Sequence, residues 1–151
     1  MGEGSGLIVV GVDGSEHARR ALDWALREAG IRGGRCLLIH AYGMGIGAGA
    51  PGGVLPLEEI ADAAGEVLAQ EVAFARESGL PVEGNVVAGG AARALLDAAQ
   101  GADLLVVGSR GRGGLTGALL GSVSTACVHH AVCPVVVIPH PDRATSPLTD
   151  A

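Results

Sequence analysis

The sequence predicts an α/β fold, a parallel sheet with helices on both faces, and three observations lead there. Short β-branched apolar runs alternate strictly with segments of helical period. Those runs are apolar at consecutive positions rather than at every second one, as strands buried on both sides require. The 151 residues are 48% apolar yet only 2% aromatic, so the core is aliphatic and alanine-rich. A chain of this length suits one domain and buries roughly 70% of its unfolded surface without covalent staples.

Leu7–Val12 is the first such run and reads as a buried strand. Ala18, Ala21, Leu22, Ala25, Leu26 and Ala29 then fall on one helical stripe, with Arg19, Arg20, Asp23, Arg27 and Glu28 off it. Ser15 is placed to cap that helix and Gly30 to end it. A second strand is expected over Arg35–Ala41. A second helix follows over Leu57–Ser78, its inner face formed by Ile60, Ala61, Ala64, Leu68, Val72 and Ala75. Val82–Ala88 is the third strand, Ala91–Gln100 a short helix stopped by Gly101, and Asp103–Val107 the fourth strand. Leu115–Ala131 is helical in period with a break at Gly121. The fifth strand is Pro134–Ile138, with proline at its first position. Right-handed crossovers restrict the topology, but spacing does not order the strands. Residues 43–53 form a glycine-rich loop, either a plain linker or a flap over a ligand. Residues 1–6 and 140–151 are expected to be flexible tails around a domain at 7–139.

Charge and composition exclude whole classes of function. The net charge of −6 disfavours sequence-independent nucleic-acid binding, which rests on surplus positive charge. All ten basic residues are arginine, so a Walker-A lysine, a Schiff-base lysine and a lysine base are ruled out. Cys36, Cys127 and Cys133 are too sparse for a disulfide scaffold. The acidic N-terminus and the six-residue run behind it suit neither a signal peptide nor a membrane span, and a cytoplasmic location is expected.

The strongest chemical signal is Gly108-Ser-Arg-Gly-Arg-Gly-Gly-Leu-Thr-Gly-Ala-Leu-Leu-Gly-Ser-Val-Ser-Thr125, which leaves a buried strand and enters a helix. In open α/β sheets ligands sit beyond the carboxyl ends of strands. Glycines let backbone amides approach an anion, and the helix opened by Gly121-Ser122 offers free N–H groups. Ser122, Ser124 and Thr125 add hydroxyls, and Arg110 and Arg112 add charge. The segment is neither a P-loop nor a dinucleotide fingerprint, and the plain structural alternative is a turn of small residues. Asp13, at the exit of the first strand, either forms a turn or meets a ligand. Cys127-Val-His-His-Ala-Val-Cys133 lacks the geometry of a four-ligand zinc site, and no protein metal site is expected. There is no nucleophile elbow and no His-Glu-x-x-His, and no catalytic residue emerges.

The chain resembles a single-domain universal stress protein. The resemblance is carried by Ile8-Val-Val-Gly-Val-Asp-Gly-Ser15, Ala102-Asp-Leu-Leu-Val-Val-Gly-Ser-Arg-Gly111, Gly121-Ser-Val-Ser124 and Cys133-Pro-Val-Val-Val137, and it runs from about residue 6 to 139. The family's nucleotide signature, Gly-x2-Gly-x9-Gly-Ser/Thr, is met by Gly108, Gly111, Gly121 and Ser122. The resemblance implies a five-stranded parallel sheet of order 3-2-1-4-5, with ATP in the crevice between strands one and four. It implies Val12 and Asp13 at the adenosine end, the main chain of Ala41 on adenine, and Val107, Gly108, Arg110 and Gly111 along the ribose and phosphates. Gly121, Ser122, Val123 and Ser124 would hold phosphates, with Mg²⁺ on the phosphates rather than in a protein cage. It implies a homodimer through Val135–Ile138, an edge that an uncharged apolar strand needs covered. The implied function is an ATP-responsive regulator of the stress response acting on a protein partner that the sequence does not identify. The alternatives are a weak ATP hydrolase and a dimeric interaction module without nucleotide. Redox sensing by Cys127 and Cys133 has little support, since only the nearby histidines would lower their pKa.

Overall fold

The computed structural model describes residues 4–43, 56–110 and 120–140. The glycine-rich loop beyond Gly43, the stretch holding Gly111 and Arg112, and the tail after His140 lie outside the described residues. The elements run β1 (Leu7–Gly11), α1 (Glu16–Arg32), β2 (Arg35–Tyr42), α2 (Leu57–Arg76), β3 (Val82–Ala88), α3 (Ala91–Ala98), β4 (Leu104–Gly108), α4 (Ser122–His130) and β5 (Val135–Ile138). All five strands are parallel, in the order β3-β2-β1-β4-β5.

Two cores flank the sheet. On one face Ile8 and Val10 of β1 and Val106 of β4 pack against the α1 stripe and against Leu68 and Ala75 of α2. On the other, Val9, Leu105 and Val107 pack against Ala94 and Leu95 of α3 and Cys127 of α4. Successive strand residues thus serve opposite faces, which explains the continuous apolar runs. All six residues of the expected α1 stripe are buried. On α2 the inner face includes Glu71, buried at 3% exposure. Its carboxylate accepts from Arg19 Nε and lies 2.9 Å from Arg19 Nη2, while the guanidinium sits 3.9 Å from the Phe74 ring centroid. The pair explains how α2 buries a charge on its core face.

Boundaries differ from the sequence reading where a cap or ladder intervenes. Ser15 Oγ accepts from Ala18 N–H as expected, but α1 runs past Gly30 to Arg32. It ends at Gly33, whose φ of 67° lets Gly33 N–H reach the Gly30 carbonyl and Gly34 N–H the Ala29 carbonyl. Gly30 stays helical because the reversal needs left-handed backbone only three residues later. β1 stops one residue early, at Gly11, and β4 runs one residue further, to Gly108. Ser5 and Gly6, which the sequence assigns to a tail, are hydrogen-bonded: the Asp103 carboxylate accepts from the N–H of each.

Leu22 is fully buried beneath the sheet, whereas Ile31 on the same helix is 81% exposed. Leu22→Ala is expected to lower the unfolding free energy by about 3 kcal/mol in urea titration. Ile31→Ala is expected to change it by less than about 0.5 kcal/mol.

Candidate functional site

Strand order creates the site. The chain leaves β1 toward α1 on one face, and it leaves β4 toward the opposite face, where α4 packs. The two exits diverge, and a cleft of about 290 Å³ opens between them at the carboxyl ends of β1, β2 and β4. Val12, Asp13, Ala41, Val107, Gly108, Arg110, Gly121, Ser122, Val123 and Ser124 all line it. Of the residues singled out from the sequence as binding candidates on family grounds, only Gly111 lies outside the described residues.

Each wall has a local cause. Asp13 forms a turn: its Oδ1 accepts from Ser15 N–H at 2.9 Å, so the carboxylate joins the end of β1 to the cap of α1. The turn residue also lines the cleft. Gly121 N–H donates to the Ser109 carbonyl at 2.7 Å and docks the start of α4 beside β4. Ser124 Oγ is buried within hydrogen-bond distance of two carbonyls, Ser109 at 3.1 Å and Gly121 at 3.2 Å. A hydroxyl carries one proton, so this group is committed to the loop rather than offered to a ligand. Ser122 is exposed at the mouth, and Thr125 is not among the lining residues. Among the described residues no side chain caps α4, and the N–H groups of its first turn, which have no intrahelical acceptors, lie at the cleft.

The glycines divide by cause. A Cβ on Gly108 would lie 3.0 Å from the His17 carbonyl oxygen and 3.3 Å from that of Arg110, so α1 itself demands glycine there. A Cβ on Gly121 would meet nothing nearer than 3.4 Å, and φ is −79°. Among the described residues, packing therefore leaves room for a Cβ at Gly121, which lines the cleft.

Sequence reasoning missed Ile39, His40, Leu95 and Ala91, all of which line the cleft. Ala91 opens α3, another helix without a side-chain cap, and the Gly89-Gly90 pair before it was the available signal. His40 is buried, and its Nδ1 lies 2.8 Å from the Val12 carbonyl oxygen. His17 and His140 stack with ring centroids 4.0 Å apart and join α1 to the exit of β5.

The Ala41 main chain faces the cleft for a reason of strand geometry. Alternate residues of a strand turn both N–H and C=O to the same neighbour. Cys36 and Tyr42 bond toward β3, and Arg35 and Ile39 bond toward β1. Ala41 therefore turns to the β1 side, where pairing has already ended at Gly11↔Ile39.

The thiols are far from activated. Burial pushes Cys36 up to about 11. Cys127 is raised by burial and then by Cys133, and Cys133 by burial and then by Asp103, against a lowering backbone hydrogen bond. His129 and His130 are exposed, and no group of three potential metal ligands comes together among the described residues.

A family profile described as the Universal stress protein family matches residues 6–139. A universal stress protein of Mycobacterium tuberculosis is 40% identical over 132 residues, covering 86% of this chain and 44% of that protein. The chain thus spans about half the length of the first curated relatives it matches. The universal stress protein of Archaeoglobus fulgidus, solved in complex with dAMP, superposes with a TM-score of 0.64 at 29% identity, covering 87% of this chain and 95% of that one. A universal stress protein family member from Arabidopsis thaliana, solved with AMP bound, also has a TM-score of 0.64, at 26% identity, covering 96% and 99%.

Gly108→Ala is expected to destabilise the fold by about 1–3 kcal/mol, because backbone rather than a mobile side chain opposes the new methyl group. Denaturant titration beside Gly121→Ala, expected to be much nearer neutral, checks this. Raised thiol pKa values also lower the thiolate fraction at a given pH. At pH 8 iodoacetamide should label half-buried Cys133 slowly and leave Cys36 and Cys127 unlabelled until the protein is denatured, as mass spectrometry would read.

Proposed function

The chain belongs to the universal stress protein family, and from that membership we propose that its cleft binds ATP, with Mg²⁺ on the phosphates, as a nucleotide-responsive regulator in the stress response. The observation that carries the proposal is the cleft itself. It brings Asp13 and the Ala41 main chain to one side and the uncapped start of α4 with Gly121 to the other. Relatives of the same fold hold dAMP and AMP.

The donor set fits such a ligand residue by residue. Ala41 offers one main-chain donor and one acceptor, the pair that the edge of an adenine base complements. Val12 and Asp13 also line the cleft and would serve the adenosine end, with Val107, Gly108 and Arg110 along the ribose and phosphates. The amides of Ser122, Val123 and Ser124 in the first turn of α4 suit phosphate oxygens, helped by the helix dipole. Magnesium bound to the phosphates would neutralise their charge, and it needs few protein ligands. Asp13 is the only carboxylate lining the cleft among the described residues, and its Oδ1 already serves the Ser15 turn. Regulation rather than hydrolysis is therefore the activity that the site favours.

The proposal extends to a cytoplasmic homodimer through β5. Leu105 and Ser109 N–H donate to the Pro134 and Ile138 carbonyls, so the even-numbered residues of β5 face β4. Val135 and Val137 then turn their backbone groups outward along an edge that a second copy would cover.

Two measurements test this. Calorimetric titration with Mg-ATP and with AMP is expected to give saturable binding, weakened at least about tenfold by Gly121→Val, whose side chain fills the phosphate end. Absence of binding by the unmodified chain rejects the nucleotide reading. Sedimentation is expected to give a dimer that Val137→Pro dissociates, since it removes an outward N–H and spares the bonds to β4.

A further inference from the structure

Resting on the nucleotide reading above, we propose that His40 is a positioning residue: it holds the Val12 carbonyl away from Ala41 and so keeps the Ala41 main chain open to the base. In a parallel ladder the pairing Gly11↔Ile39 is followed by Asp13↔Ala41, in which Ala41 N–H donates to Val12 C=O and Gly14 N–H to Ala41 C=O. The first half of that progression is present, because Val12 N–H donates to the Ile39 carbonyl at 2.9 Å. The next bond is missing. Among the described residues Ala41 makes no backbone bond to Val12, and Gly14, at φ 82°, makes none to Ala41.

What occupies the Val12 carbonyl instead is His40 Nδ1, at 2.8 Å. A carbonyl only accepts, so Nδ1 carries the proton and the tautomer is assigned. The imidazole belongs to the residue next to Ala41, so the strand that ends the ladder also supplies the group that ends it. The contact is buried, His40 being 8% exposed, and water does not compete freely for it. Burial also sets the consequence of its loss. An unpaired Val12 carbonyl would be costly, and the nearest donor in register is Ala41 N–H. Without the imidazole the ladder would close by one rung over the base-binding edge.

The experiment has one arm without nucleotide and one with it. In the free protein, amide hydrogen exchange followed by NMR should show Ala41 N–H exchanging fast and Ile39 N–H protected. In His40→Leu, Ala41 N–H should become protected. Equal protection of Ala41 and Ile39 in the unmodified chain, or no change on substitution, overturns the proposal. In the binding arm, His40→Leu should weaken AMP by about tenfold while inorganic tripolyphosphate, which lacks a base, binds within about twofold of the unmodified chain. His40→Asn places its amide nitrogen where Nδ1 stood and should restore AMP binding, whereas His40→Gln should not. Equal loss of both ligands, or failure of asparagine to restore AMP binding, reduces His40 to a structural residue and overturns the proposal. If the unmodified chain binds no nucleotide, the reading of the site falls and takes the base contact with it; the exchange arm still decides whether His40 holds the ladder open.

Discussion

Everything at the site depends on the reversal of winding at β1. The chain winds outward through β2 and β3 with its first two helices on one face. It then returns across the sheet to β4 and continues to β5 on the other. Two adjacent parallel strands therefore hand their chains to opposite faces, and among the described residues a gap is left between their ends. A cleft at that point is a consequence of topology. It needs no bulky side chain to hold it open.

Because topology supplies the space, backbone groups supply most of the chemistry. The cleft holds one carboxylate, one arginine and one histidine among its described lining residues, and the rest are small or aliphatic. Its polar character comes from peptide groups left over where regular structure stops: the last residues of β2 beyond the β1 ladder, and the first turns of α3 and α4. Such groups are directional and already desolvated on one side, so they recognise a ligand without losing side-chain rotamer entropy. The side chains that matter most act on the backbone. Ser124 holds the β4 exit loop against α4, Asp13 closes the turn into α1, and His40 occupies the Val12 carbonyl.

The same view separates residues that look alike in a motif. Gly108 and Gly121 belong to one spaced pattern, yet one is required by the carbonyl of His17 and the other by nothing among the described residues. Ser122 and Ser124 are both hydroxyls at the start of α4, yet one lies at the mouth and the other is buried and committed. A pattern of residue types does not carry this distinction, which depends on what stands opposite each position.

The sequence by itself determined the elements and the burial of most of them. Apolar runs without alternation could only be strands covered on both faces, and the alanine-leucine stripe of α1 has one period and one buried side. It also marked the stretch after β4 as special, because so many glycines between a buried strand and a helix have few other uses. Those are local properties, and local pattern reports them. Strand order was legible only through the resemblance to a family, since alternation of strand and helix is equally consistent with several windings. Glu71 in the core, the end of α1 at Gly33, and the inclusion of Ile39, His40, Ala91 and Leu95 in the cleft were decided by tertiary structure. Each depends on a partner distant in the chain: Arg19 for the carboxylate, the Val12 carbonyl for the imidazole, and the point at which the β1 ladder stops for the amide of Ala41. A linear pattern records what each residue prefers, and only the assembled sheet determines which preferences meet.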